Sequence, residues 1–327
     1  MSQSKTISVA MCTYNGEKYL QEQLQSIASQ TRLPDELVIC DDLSTDTTPE
    51  IIRNFADLAP FPVRVKINPV NLGRAAKGIT RNFEQASRLC AGDLIAFCDQ
   101  DDVWLPQKLA RMAQTMEEQP HLGGVFVDAQ LIDDQGAQKG ILLSKTTGIT
   151  RREHERLMRG EVLPVLLSMN KVYGCTLMVD AKLLMELLPV PPNWWFDAWV
   201  PCMVAVHSGI AFIPEPLFYY RIHAAQSGVG ASLPTVSERV KQWKHSAKDY
   251  WRDSEPQLEE LYSRLAEENN PSMKPYLEYI YGRMDLLRFR AELPANHLSR
   301  AIKVIPKARY YLRYFNGWKS IVKDLTS

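Results

Sequence analysis

The stretch Leu94-Ile95-Ala96-Phe97-Cys98-Asp99-Gln100-Asp101-Asp102-Val103-Trp104 runs from five apolar residues into three carboxylates. The apolar run reads as a strand. Carboxylates this close repel one another and lose solvation, a cost that a bound cation removes. A hard divalent ion such as Mg²⁺ or Mn²⁺ suits oxygen ligands and leaves room for substrate phosphates. The segment points to a metal-dependent enzyme that handles phosphate.

The same grammar recurs on the N-terminal side. Ile7–Met11 is apolar and gives way to Thr13-Tyr14-Asn15-Gly16. Tyr19, Leu20, Leu24, Ile27 and Ala28 then recur at helical spacing. Leu37–Cys40 predicts a second strand ending at Asp41-Asp42, and Thr47–Leu58 a second helix with N-cap residues between Ser44 and Thr48. Val63–Ile67 predicts a third strand, Asn71-Leu72-Gly73 a turn, and Gly78–Cys90 a helix with Phe83, Ala86 and Leu89 on one face. Pro106 opens a further helix, to about Glu118. Strands alternating with helices imply right-handed βαβ units and a mostly parallel sheet. Ligands of such sheets bind beyond the carboxyl ends of the strands. Three polar clusters, at Thr13–Asn15, Asp41-Asp42 and Asp99–Asp102, therefore fall on one rim.

Beyond Gly123 the pattern changes. Val125–Val127 is strand-like, Asp133-Asp134-Gln135-Gly136 reads as a hairpin turn, and Thr150–Leu167 reads as helical around polar loops. Gly174–Val179 and Ile210–Ile213 predict strands, and from about Thr235 the chain is helical and charged. The expected division is a domain at 1–232 and a helical extension at 233–327.

Composition bounds the rest. The chain has 327 residues, 45% hydrophobic and 23% charged, with zero net charge, so nothing points to nucleic acid. The short polar Met1–Thr6 predicts no secretory signal, and no apolar run reaches the roughly 18 residues of a spanning helix. The six cysteines form no Cys-x-x-Cys pair, which speaks against a zinc site or disulfide framework. A reduced, cytoplasmic protein is expected.

Taken in order, the motifs resemble those of the family 2 glycosyltransferases, which have the GT-A fold. The matching residues are Cys12-Thr13-Tyr14-Asn15-Gly16-Glu17-Lys18-Tyr19-Leu20, Gln23-Leu24-x-Ser26-Ile27-x-x-Gln30-Thr31, Asp41-Asp42-x-Ser44-Thr45-Asp46, Asn71-Leu72-Gly73 and Asp99-Gln100-Asp101-Asp102-Val103-Trp104. The last form looks like the rhamnosyltransferase-like branch that builds surface polysaccharides. Further on, Gly174-Cys175-Thr176 resembles an acceptor-side strand, and Phe196-Asp197-Ala198-Trp199 stands where many relatives have His-Asp-Trp-Trp. Tyr220-Arg221-Ile222-His223 with Gly228-Val229-Gly230 resembles the segment that closes the catalytic domain. The stretch Arg74–Thr80 looks longer than the loop relatives carry there.

The resemblance implies an inverting transfer of a sugar from a UDP- or dTDP-linked donor to a hydroxyl of a glycan or lipid-linked acceptor. It implies a metal, Mn²⁺ or Mg²⁺, held by Asp99 and Asp101 with His223 as a third ligand. Thr13, Tyr14, Asn15, Glu17, Asp41, Asp42, Arg81, Asp99 and Gln100 are the expected nucleotide-sugar contacts. Asp102 would support the sugar or cap the next helix. Asp197 is the expected general base, because its aromatic neighbours raise a carboxylate's pKa, and Trp195 and Trp199 would stack on the acceptor. A sugar-nucleotidyltransferase is the alternative enzyme class, but it would open with a Gly-rich phosphate loop, which Thr13–Gly16 is not. A non-catalytic glycan-binding relative is the other alternative. From Asn296 onward, basic and aromatic residues interleave at roughly helical spacing. Two readings stand there: a helix lying on the anionic inner membrane surface, or a solvated helix packed back on the protein.

Overall fold

Apolar runs without polar alternation become the centre of the sheet. Strands β1 (Ile7–Thr13), β2 (Glu36–Asp41) and β4 (Leu94–Cys98) are buried almost throughout, as strands covered on both faces must be. Strand β3 (Val63–Ile67) lies at the sheet edge, where Arg64 and Lys66 interrupt an exposed apolar strip. The remaining strands are β5 (Val103–Trp104), β6 (Gly124–Ile132), β7 (Gln138–Leu142), β8 (Leu177–Asp180) and β9 (Ile210–Arg221). Their order is β3-β2-β1-β4-β8-β6-β9-β5, with β7 beside β6. Pairing is parallel from β3 to β4 and again between β6 and β9, and antiparallel where β8, β7 and β5 join.

The computed structural model describes residues 4–168, 170–224, 226, 247–294, 296–315 and 317–326, with backbone alone at 247–253. The chain divides into two compact units, Met1–Leu233 and Pro234–Ser327. In the first, helices α1 (Leu20–Ala28), α2 (Thr48–Ala56), α3 (Ala76–Leu89) and α4 (Lys108–Glu118) follow successive strands. Their inward residues, among them Leu24, Ile27, Ile52, Leu109 and Met112, join the sheet in one apolar core. Short helices α5 (Leu143–Thr146), α6 (Arg151–Met158) and α7 (Leu163–Leu166) precede β8, and α8 (Ala181–Leu187) and α9 (Phe196–His207) follow it.

Three expectations change. Helix α3 starts at Ala76, so most of Arg74–Thr80 is helix and not loop. Strand β9 runs twelve residues through Pro214 and Pro216, and a register irregularity near Asp128 absorbs the prolines. The tail is not one helix. The second unit contains α10 (Ala247–Glu267), α11 (Lys274–Ala291), α12 (His297–Val304), α13 (Ala308–Tyr314) and α14 (Trp318–Thr326). Leu286, Val304, Tyr311, Tyr314 and Ile321 form its own small core. Gly228–Gly230 and the start of the predicted helical region at Thr235 lie outside the described residues.

Candidate active site

Register places the polar clusters level with one another. Met11 pairs with both Ile39 and Cys98, so Thr13, Asp41 and the residues after Cys98 emerge at the same edge of the sheet. Thr13 Oγ1 donates to Asp41 Oδ2 at 2.7 Å, and the backbone N–H and hydroxyl of Ser44 also donate to Asp41. Both Asp41 oxygens are thus engaged within the protein. Asp42 differs: Asn68 Nδ2 and the Leu72 N–H both bond to Oδ1, at 3.0 and 2.8 Å.

The loop after β1 is tied on two sides. Gln100 closes a two-point bond with the Tyr14 backbone, accepting from its N–H at 2.8 Å and donating to its carbonyl at 3.1 Å. A Cβ on Gly16 would stand 2.5 Å from Gln100 Oε1, which is why glycine follows Asn15. Asn15 Oδ1 accepts from the Thr45 N–H, and Glu17 Oε2 accepts from the Thr47 N–H and hydroxyl. Asn15, Glu17 and Gln100 therefore hold loops together, and the Tyr14 side chain between them is half-buried. Arg81 is exposed on α3.

The acidic cluster is completed from β9. Strand β5 pairs antiparallel with β9, Val103 opposite Tyr219, and that fixes Asp101 and Asp102 beside the chain leaving β9. His223 Nε2 lies 2.8 Å from Asp101 Oδ2. Asp102 is fully buried, and its Oδ1 accepts from the Arg221 N–H at 3.1 Å. Burial, then the charges of Asp101 and Asp99, push the Asp102 carboxyl well above the usual range. Helix α4 begins only at Lys108 with Gln107 as its N-cap, so Asp102 is no helix cap; it fastens β9 to the cluster. Arg221, 2% exposed, donates to the Asp101 carbonyl, to Asp133 O and to Glu22, and its guanidinium lies 4.7 Å from the Tyr19 ring.

Antiparallel pairing of β8 with β4 brings the Gly174–Thr176 turn alongside Asp99. The half-buried Asp99 carboxyl is pushed up to about 7, by burial first and the Asp101 charge second, while the Cys175 thiol donates to it. Lys108 lies beneath, 1% exposed, its Nζ donating to Cys175 O at 2.6 Å and resting 3.9 and 4.2 Å from the Trp104 and Phe218 rings. Burial lowers its ammonium to about 8, although the nearby thiols and the Asp102 and Asp99 carboxylates pull the other way.

Asp197 sits in the first turn of α9. Burial pushes its carboxyl up to about 6, against bonds from Asn170 Nδ2, at 3.0 Å, and the Gly174 N–H. Its charge is close enough to raise Asp99. The preceding Phe196 is buried on Phe83 and Phe97, which anchors the helix start. Trp195 is 37% exposed, but Trp199 is 1% exposed, donates to Leu187 O and packs on Trp194. The acceptor role expected of Trp199 is therefore corrected: its ring has no face left for a ligand.

Two donor sets fit a cation unequally. Asp101 Oδ2 and His223 Nε2 are spaced close to the roughly 3 Å edge of an octahedron around a small divalent ion, and Mn²⁺ accepts imidazole as well as carboxylate. Ligand atoms of Asp99, Asp102 and Cys175 also lie within 4.8 Å of one another. That second set includes a buried thiol held well above its usual pKa, a poor ligand for a hard ion. Among the described residues, Asn170, Lys108 and Arg221 complete the site without having been assigned a part from sequence. Arg221 was visible within Tyr-Arg-x-His and Lys108 close after Pro106, while no local pattern marked Asn170.

The model of the Glycosyl transferase family 2 matches residues 8–173, and the chain belongs to that family. An uncharacterised glycosyltransferase of a Nostoc strain is 29% identical over 242 residues, 72% of this chain and 70% of the relative. A dTDP-rhamnosyl transferase of Shigella flexneri, RfbG, is 37% identical over 99 residues, 30% of this chain and 34% of the relative. The solved mannosyltransferase PcManGT from Pyrobaculum calidifontis, in complex with GDP-Man and Mn²⁺, is 17% identical with a TM-score of 0.55, covering 94% of this chain and 76% of that one. The fold is the α/β GT-A architecture that the motifs predicted.

Proposed function

We propose that this chain is an inverting, divalent-metal-dependent glycosyltransferase, with residues 1–232 as its catalytic domain and 233–327 as a helical extension. It moves a sugar from a UDP- or dTDP-linked donor to a hydroxyl of a glycan or lipid-linked acceptor in surface polysaccharide biosynthesis. A place in the rhamnosyltransferase-like branch is part of the proposal, supported by the likeness to RfbG. The carrying observation is the Asp101–His223 pair, set on the same sheet edge as Asp42, with a half-buried carboxylate of raised pKa nearby at Asp197.

In this reading Asp42 and the Tyr14 ring receive the nucleotide base, and Arg81 reaches toward phosphate. Asp101 and His223 hold the ion, Asp99 faces its water shell or the ribose, and Trp195 stacks on the acceptor. When bound, the divalent ion acts as a Lewis acid on the leaving diphosphate. Asp197 takes the proton of the acceptor hydroxyl as its oxygen bonds to the anomeric carbon from the face opposite the leaving group. The anomeric carbon–oxygen bond breaks, and the diphosphate departs with the electron pair. The reaction lies on the cytoplasmic face of the membrane.

Turnover of a panel of nucleotide sugars with and without Mn²⁺ tests this. Asp101→Ala is expected to abolish metal-dependent donor binding. Asp197→Asn keeps donor binding while lowering transfer by about 10²–10⁴-fold. Metal-independent turnover, or near-normal transfer by Asp197→Asn, refutes the assignment.

A further inference from the structure

We propose that α12 and α14 dock the protein on an anionic phospholipid surface, with Leu298, Ile302, Ile305, Trp318 and Val322 entering the interface and the surrounding cations meeting the headgroups. The first observation is where exposed apolar area collects. Of sixteen large apolar side chains exposed among the described residues, six fall between Leu298 and Val322. Isolated exposed apolar residues are ordinary, but such a concentration marks an interaction surface.

The second observation is spacing. Leu298, Ile302 and Ile305 follow one another at intervals of four and three, which puts them on one side of α12 and its continuation. They are 73%, 67% and 62% exposed, whereas Val304, on the other side, is fully buried. Helix α14 repeats the arrangement, with Trp318 and Val322 exposed four residues apart and Ile321 buried. The two helices pack together, and His297 Nδ1 meets the Leu325 carbonyl at 2.9 Å. Each helix thus keeps one apolar side for the small core and turns a second outward.

Charge selects the occupant. From Asn296 onward there are seven Lys and Arg residues and one acid, in a chain whose net charge is zero, so the remainder is acidic by six. The one acid, Asp324, is 2% exposed and bonded to Arg290 and Tyr311, whereas Lys303, Arg309, Arg313 and Lys319 are exposed. Lys303 and Lys319 are exposed and directly follow Ile302 and Trp318. Cations bordering an apolar stripe are the chemistry of an interfacial helix on anionic lipid. A soluble polyanion would use the cations but leave the leucine, isoleucine and tryptophan faces wet. No helix among the described residues is long and apolar enough to cross a membrane, so the contact proposed is peripheral.

Flotation of the full chain with phosphatidylcholine vesicles, with and without phosphatidylglycerol, tests the proposal. Neither donor nor acceptor enters the assay, so its outcome is independent of the glycosyl-transfer reading. Binding is expected only with phosphatidylglycerol and is expected to weaken with salt. The triple variant L298S/I302S/I305S and the double variant K303E/K319E should each weaken it on the order of tenfold or more. All five positions are exposed, so both variants should keep the parent melting transition. Absence of binding, equal binding to neutral vesicles, or flotation of both variants equal to that of the parent overturns the proposal. Binding to soluble polyphosphate as tight as to vesicles, and undiminished in the triple variant, overturns lipid as the occupant.

Discussion

Asp197 carries a pKa close to its proposed working range because two effects oppose one another. Burial raises the carboxyl, and bonds from Asn170 and the Gly174 N–H restrain the rise to about 6. A base must be unprotonated to act, so turnover should fall about tenfold per pH unit below that value. Asn170→Ala removes a donor that favours the charged form, so the pKa rises further and the acid limb of kcat/KM moves to higher pH. Superimposable profiles for the parent and the variant would remove Asn170 from this role. Asp197 was singled out in sequence because it lies among aromatic residues at the position where many relatives have His-Asp-Trp-Trp. Asn170 was not, because its bond to Asp197 crosses 27 positions with no local motif. Asp102 was read as a sugar support or a helix cap, since its bond to a backbone N–H 119 residues away leaves no local pattern.

Elements were legible where local rules and tertiary packing agree, as for β3 and β4, whose predicted limits are the observed ones. They were misread at glycine and proline. Gly78 looked like a helix start but lies inside α3, where a Cβ would stand 2.0 Å from the Gly73 carbonyl oxygen and 2.4 Å from that of Leu72. The glycine is there to seat the helix on the 71–73 turn, which in turn supplies the Leu72 N–H to Asp42. Gly78→Ala should therefore cost about 1–3 kcal/mol in chemical denaturation, and should weaken nucleotide-sugar binding through the displaced turn. Unchanged binding at reduced stability would separate the turn from the site. Pro214 and Pro216 hid most of β9 in the same way, and with it the means by which Arg221 and His223 arrive beside Asp101.

At the scale of the whole molecule, the sequence showed a change of character near residue 233 but not what stabilises the part beyond it. Proline and glycine at positions 306 and 317 break the tail into short helices, and Tyr311 and Tyr314 turn inward as core. Their polar keystone is Asp324, which accepts from Arg290 at 2.6 and 2.8 Å and from the Tyr311 hydroxyl at 2.6 Å. Asp324→Ala takes its carboxylate partner from a buried guanidinium, a change that costs about 3–5 kcal/mol. Hydrogen exchange should then quicken on the order of a hundredfold or more in α11 and α14 while β1–β4 keep their protection. Equal loss of protection in both units would mean that they open together.

Lys108 has a consequence for how the site can be watched. Its amine is enclosed by two aromatic rings and a carbonyl, so amine-directed reagents cannot reach it while that enclosure holds. The time course of its acylation, read by mass spectrometry against exposed lysines such as Lys18, becomes a clock for the opening of the floor beneath the acidic cluster. A donor and metal that bind the closed form should slow that clock in proportion to their occupancy.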